Sequence, residues 1–283
     1  GRSYSILHSI DADAYLDKDV DDRQINDSFN FDLIRKDLYE VDLFTAPELA
    51  RLTELQATYR RNIEGLDPTL YTKEIERLAI DLSWKSSQIE GNTYTLLETE
   101  RLLKEKKTAS GKTKDEAVML LNHKEAIDFI LGDPTYMDHL TVRKIEDLHS
   151  ILIKELGINR NLRNRRVGIT GTNYRPLDNE FQIKEAFWDM CALINIKQNV
   201  FEKALIALVL ISYIQGFMDG NKRTARIVSN AILIANNCCP ISFRTVDAID
   251  YKKAMLVFYE KNNITAFKRI FIEQFEFAVN TYF

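Results

Sequence analysis

The chain has 283 residues, long enough to bury a substantial core in one large domain or two small ones. A formal net charge of -4 argues against a general nucleic-acid binder, and a hydrophobic share of 45% is that of an ordinary soluble globular protein. Cys191, Cys238 and Cys239 give neither a disulfide framework nor metal-ligand spacing, so a reducing, cytoplasmic setting is the expectation. The first residues, "GRSYSILHSIDADAYLDKD", lack a basic segment followed by an apolar one, so no secretory signal is expected, and the sequon at Asn263 reads as accidental.

Residues 1–44 are mixed and acidic and read as a loosely structured arm. "TAPELARL" then opens a helix with Thr45 as N-cap and Pro47 and Glu48 in its first turn. From Tyr71 the residues Ile75, Leu78, Ala79, Leu82 and Ile89 recur at helical spacing, up to a stop at Gly91 and Asn92. "TLLETERLLKE" is a further helix and "TASGKTKDE" a surface turn. "EAVMLLNHKEAIDFIL" follows as an amphipathic helix closed by Gly132 and Pro134, and the next runs from the N-cap Thr141 to Gly157. "RRVGITGTNYRPLD" alone has strand character, broken by Gly171 and Pro176, and reads as a small hairpin. Everything beyond it reads as helix, including the apolar run Ala204–Phe217, too short to cross a bilayer. The expected fold is all-α with one small β-hairpin. It divides into an N-terminal arm (1–44), an N-terminal helical region (45–135) and a core domain (136–283).

The stretch "DGNKRTAR" after the apolar run carries the chemistry. A helix starting at Asn221 or Lys222 presents unpaired backbone N–H groups at the positive end of its dipole. Gly220 lets an anion approach without a Cβ in the way, Lys222 and Arg223 add charge, and Arg226 lies one turn on along the same face. Asp219 has the sign of a Mg²⁺ ligand beside phosphates, and the Asn221 amide can donate to a phosphate oxygen. Read alone, the pattern is equally that of an ordinary helix start with solvated basic residues.

"GFMDGNKRTAR" resembles the core motif of Fic (Fic/Doc) proteins, His-Pro-Phe-x-Asp-Gly-Asn-Gly/Lys-Arg-x-x-Arg, with Phe217, Asp219, Gly220, Asn221, Arg223 and Arg226 matching. Lys222 stands where many members have Gly, as in the Doc-like branch. The resemblance spans roughly Tyr71 to Phe283 and implies a Fic-type helical bundle. It also implies Mg²⁺ on Asp219, ATP phosphates on the loop amides, Asn221, Arg223 and Arg226, and transfer of AMP to a protein hydroxyl. Asn230 would face the nucleoside or make an ordinary contact within its helix. "SSQIEGN" resembles the family's inhibitory motif as Ser86, Glu90 and Gly91, with Glu90 reaching Arg226 from an N-terminal inhibitory helix. By the same resemblance Gly168, Ile169 and Thr170 belong to a flap that covers the site and aligns a target segment.

The family's catalytic His is replaced by Gln215, and the next Pro by Gly216, which is expected to loosen the turn. A Gln amide cannot take a proton from an attacking hydroxyl as an imidazole can. Of His8, His123, His139 and His149, only His149 merits consideration as a substitute base, and its apolar helix favours a core role. The basic run "NRNLRNRR" reads as a solvated face or phosphate rim. The resemblance therefore implies a Mg·ATP-dependent protein adenylyltransferase, autoinhibited by Glu90 and impaired at Gln215. The alternatives are a nucleotide-binding pseudoenzyme acting as sensor or scaffold, and a Doc-like phosphotransferase. Implied partners are ATP and a target protein with a hydroxyl side chain, with no membrane or nucleic acid; a homodimer stays open.

Overall fold

The structure, a computed structural model, describes residues 2–283, side chains of residues 2–4 excepted. Three short helices come first: α1 (Arg2–Leu7), α2 (Ala12–Leu16) and α3 (Leu38–Glu40). The longer ones follow: α4 (Ala46–Glu64), α5 (Pro68–Ile89), α6 (Leu96–Glu105), α7 (Lys114–Gly132), α8 (Val142–Leu152) and α9 (Glu180–Ile196). The chain closes with α10 (Val200–Ile214), α11 (Asn221–Ala235), α12 (Ala248–Lys261) and α13 (Thr265–Tyr282). Local sequence dictates several starts. Thr45, Thr95 and Thr113 each accept from the backbone three residues on, while Glu48, Glu98 and Glu116 bond back to the cap.

α10 is the hub. Ala204 to Leu210 are fully buried, and apolar side chains surround the helix on every side, so it lies inside the bundle rather than on it. It packs against α9, α11, α12 and α13. Each buried Leu or Ile there is worth about 1.5–3 kcal/mol of transfer free energy, so the helix is a fixed frame for the turn at its end. One apolar core runs from Ile6 through Leu52, Leu78 and Leu148 to Tyr282, and a small satellite gathers Tyr94, Leu102, Ala117 and Leu120.

Two expectations need correction. The arm is not loose over its described residues: Leu33, Ile34, Leu38 and Leu43 are fully buried in the common core. Its acidic composition hid the few apolar residues that anchor it. The hairpin exists as a turn at Thr170–Gly171 with extended flanks, but no strand ladder forms among the described residues. Its far flank bonds elsewhere: Arg175 donates its backbone N–H to Asp27 O at 2.9 Å beside an isolated bridge to Ser28, and Tyr174 Oη donates to Tyr213 O. No helix among the described residues is long and apolar enough to cross a membrane.

Candidate functional site

α10 ends at Gln215, whose left-handed conformation (φ 51°, ψ 50°) turns the chain sharply toward α11. Three carbonyls at this end would lack helical partners. Arg163, a buried residue, supplies them: its side-chain Nε donates to Gln215 O and Nη2 to Ile214 O, and its backbone N–H donates to Gly216 O at 2.9 Å. Burial lowers the Arg163 pKa to about 10. The basic run was expected on a solvated rim, yet its second arginine, Arg163, is the internal cap of the central helix. Leu162 beside it, also buried, was the one local signal.

Gly216 is tight rather than loose. A Cβ there would lie 2.2 Å from Phe187 Cε2 and 3.1 Å from Ile183 Cγ2, so the glycine makes room for the α9 core. Phe217 is fully buried and stacks on His149, ring centroids 3.7 Å apart. His149 Nε2 bonds Asp219 O at 2.8 Å, and burial lowers the His149 pKa to about 4. It is a neutral core residue that holds the loop from behind, as its apolar helix suggested. His123 is also fully buried, and burial, with Arg226 and Arg223 nearby, keeps it far below its usual pKa.

Asn221 departs from its expected role. Its amide is spent on the loop itself, accepting from Phe217 N at 2.9 Å and donating to Phe217 O at 2.8 Å. The side chain thus shapes the turn, and its backbone starts α11. Asn230 does not face a nucleoside either. Its amide makes a two-way pair with the Ile241 backbone, donating at 2.9 Å and accepting at 2.7 Å, and the residue is buried.

The cationic residues do converge. Gly220 has φ 86°, a conformation that favours glycine, and a Cβ there would meet Ile153 Cγ2 at 3.2 Å. Arg223 is buried with Nε and Nη1 lacking any hydrogen-bond partner among the described residues, and its Nη2 is 3.7 Å from Asp219 Oδ1. Burial lowers the pKa of Arg223 and of Lys222. Unsatisfied buried cation donors are costly, and an anion placed here would satisfy them. Asp219 is exposed; its Oδ1 accepts from Gly220 N at 2.7 Å.

Arg226 is wholly buried, and its Nε and Nη2 bond the segment of Ser86 and Glu90, whereas its Nη1 lacks a partner among the described residues. Its Nε donates to Ser86 Oγ at 2.8 Å, and its Nη2 donates to Ser86 O at 3.1 Å and to Glu90 Oε1 at 2.9 Å. Tyr251 lies under the guanidinium at 5.0 Å. Burial alone would raise the Glu90 pKa, but Arg226, Lys222 and Arg223 outweigh it and hold it below the ordinary value. Glu90 occupies the C-cap of α5 just before Gly91, whose φ of 96° lets the chain turn away.

A cleft of about 420 Å³ opens beside Glu90 and Lys222, with Arg223, Arg226 and Asp219 outside its lining. Glu90, Gly91, Gln215 and Lys222 line it on one side, Gly168, Ile169 and Thr170 on another, and Lys252, Met255, Leu256 and Tyr259 close it. The residues from α12 carried no motif and became visible only through packing. No histidine lines this cleft, and Gln215 Oε1 is buried without a partner among the described residues.

The family described as Fic/DOC matches residues 139–233 of the chain. The curated protein adenylyltransferase Fic of Nematostella vectensis is 29% identical over 185 residues, covering 59% of this chain. The match spans only 40% of that relative's length. Among solved structures, Fic-1 (residues 134–508) from C. elegans superposes with a TM-score of 0.73 at 19% identity, covering 84% of this chain and 72% of the other. A Fic-domain signaling protein from Bacteroides thetaiotaomicron gives 0.70 at 18% identity, covering 82% and 95%. The bundle is therefore the one these structures share.

Proposed function

We propose, from the match of residues 139–233 to the Fic/DOC family, that the chain binds Mg·ATP in the cleft at the start of α11, in a form held closed by Glu90. The single observation that carries this reading is the Arg226–Glu90 ion pair, 2.9 Å long, beside an Arg223 whose buried Nε and Nη1 lack partners among the described residues. Arg226 and Arg223 would take phosphate oxygens, with Lys222 and the open N–H groups of α11 adding positive potential. Glu90 competes for the same guanidinium. A nucleotide that places a phosphate on Arg226 has to displace that carboxylate.

Asp219 fits a divalent cation: its carboxylate is exposed, with Oδ1 accepting from Gly220 N, and phosphates and water would complete a Mg²⁺ shell. Bound there, Mg²⁺ would neutralise phosphate charge. The relative's name supports protein adenylylation as the transfer chemistry, onto a hydroxyl of a target protein aligned along residues 168–170. Gln215 sets the limit on that chemistry. It can orient a hydroxyl or water by hydrogen bonding, but it cannot accept the proton, and His149 and His123 are buried and do not line the cleft. Transfer in the wild-type chain is therefore slow or absent, and the nucleotide-binding role is the primary one. Nothing in the cleft favours the Doc-like alternative beyond Lys222.

The test is calorimetric titration of Mg·ATP into the wild-type chain and the Glu90→Gly and Arg226→Ala variants, with α-labelled ATP incubations alongside. Tighter binding in Glu90→Gly and loss in Arg226→Ala is the expected result. Equal, absent binding in all three would sink the nucleotide reading.

A further inference from the structure

The N-terminal arm lies along the segment that closes the cleft. Residues 21–27 meet residues 171–175 at three points. Arg23 Nη2 donates to Gly171 O at 2.9 Å, Asn173 Nδ2 donates to Asp21 Oδ1 at 2.9 Å, and Arg175 N donates to Asp27 O at 2.9 Å. The first differs from the others in being buried. Arg23 is 8% exposed, and its Nη1 lies 3.1 Å from Oε1 of Glu260, which is wholly inaccessible.

Glu260 belongs to α12, the helix that gives Leu256 and Tyr259 to the cleft wall. Its other oxygen accepts from Tyr15 Oη at 2.6 Å, and its carbonyl accepts from Asn26 N. The arm is thus fastened to α12 at Tyr15, Arg23 and Asn26. Gly171 in turn has φ 89°, and a Cβ there would touch Leu256 Cδ1 at 3.6 Å, so the turn rests on the same helix. One guanidinium therefore links the turn after residues 168–170 to the cleft wall. Between the two flanks of the turn no ladder forms among the described residues, so the external tie replaces the hydrogen bonds a hairpin would have given itself.

We propose that Arg23 is a positioning residue: by bridging Gly171 O and Glu260 it sets where residues 168–170 stand over the cleft. Lysine at this position could keep one contact but not both, because only the planar guanidinium offers two donors at fixed separation. The proposal rests on the nucleotide reading only in what the placed segment covers.

Amide hydrogen exchange of the full chain tests it, comparing wild type with Arg23→Lys and with the double variant Arg23→Met/Glu260→Gln. The double variant leaves no buried charge unpaired, so it remains foldable if the lysine variant does not. Exchange at residues 168–173 should rise about tenfold, the scale of one charge-assisted hydrogen bond, while α10 and α11 keep wild-type protection. Unchanged exchange at 168–173 in either folded variant would overturn the proposal. So would a uniform rise through α10 and α11, since Arg23 would then serve overall stability alone. Mg·ATP titration of the same variants separates the two readings. Faster local exchange with unaltered nucleotide affinity supports Arg23 as the anchor while removing residues 168–170 as a nucleotide cover.

Discussion

Glu90 at the end of α5 pairs with Arg226 in the second turn of α11 at 2.9 Å, across 136 residues of chain. The pair is half open to solvent on one side only: Arg226 is wholly buried, whereas the Glu90 side chain keeps 22% exposure. On the proposed nucleotide reading, a phosphate would displace the carboxylate from that exposed side.

Glu90→Gly should first destabilise the protein. It leaves a buried guanidinium held only by Ser86 and the Tyr251 ring, and breaking such pairs costs about 3–5 kcal/mol. Mg·ATP should then restore much of the lost Tm, and stabilise the variant more than the wild type. Thermal melts with and without nucleotide check this. A Tm in Glu90→Gly that nucleotide does not move would contradict the competition.

The closed form should also resist mild acid. A carboxylate with a folded pKa below its unfolded one adds stability above the unfolded value and loses it as the pH falls through the folded value. Glu90 is shifted down, chiefly by Arg226, against the opposing effect of burial. The Tm gap between wild type and Glu90→Gln should therefore stay constant from pH 8 to about 5 and close only below the ordinary glutamate value of about 4.3. A gap that closes near pH 6 would refute the assigned shift.

Arg223 should separate binding from folding. Its buried Nε and Nη1 lack partners among the described residues and its Nη2 meets Asp219 Oδ1 only at 3.7 Å, so Arg223→Met removes two unsatisfied donors and should hold or raise the Tm. The same change should weaken Mg·ATP by on the order of tenfold or more, since hydrogen bonds to charged groups are lost. Calorimetry and melting on one preparation give both numbers.

Restoring the family's base should restore transfer, but its proline should not help. Gln215→His with Glu90→Gly is expected to raise incorporation of α-label by roughly 10²–10⁴-fold. Adding Gly216→Pro places carbon where Phe187 already sits, 2.2 Å from the built Cβ. Overpacking of this kind costs about 1–3 kcal/mol, so the triple variant should melt lower than the double. Phe187→Leu in that background should recover part of the loss. No gain in label in the double variant would count against the adenylyltransferase reading.

Much of the site was readable before any coordinates. The end of the apolar run, the glycine at 220, the basic residues of α11 and the Ser86/Glu90 pair are local patterns, and local spacing fixes which side chains share a helical face. What misled was the assignment of partners. Asn221 and Asn230 looked like ligand groups because an amide in a motif can bond anything, and folding spent both on backbone. Arg163 looked like surface because a charge run usually is, yet it caps three carbonyls inside.

The sequence by itself determined the helices, their caps and the presence of a cationic turn, all of which depend on residues within a few positions of one another. It also determined that position 215 carries an amide rather than an imidazole. Only the tertiary structure decided that Glu90 reaches Arg226, that Phe187 forbids a side chain at 216, and that Arg23 ties the arm to Gly171. Those are contacts between segments far apart in the chain. Their geometry follows from how the apolar faces of α5, α9, α11 and α12 pack around α10, a collective solution that no single stretch encodes.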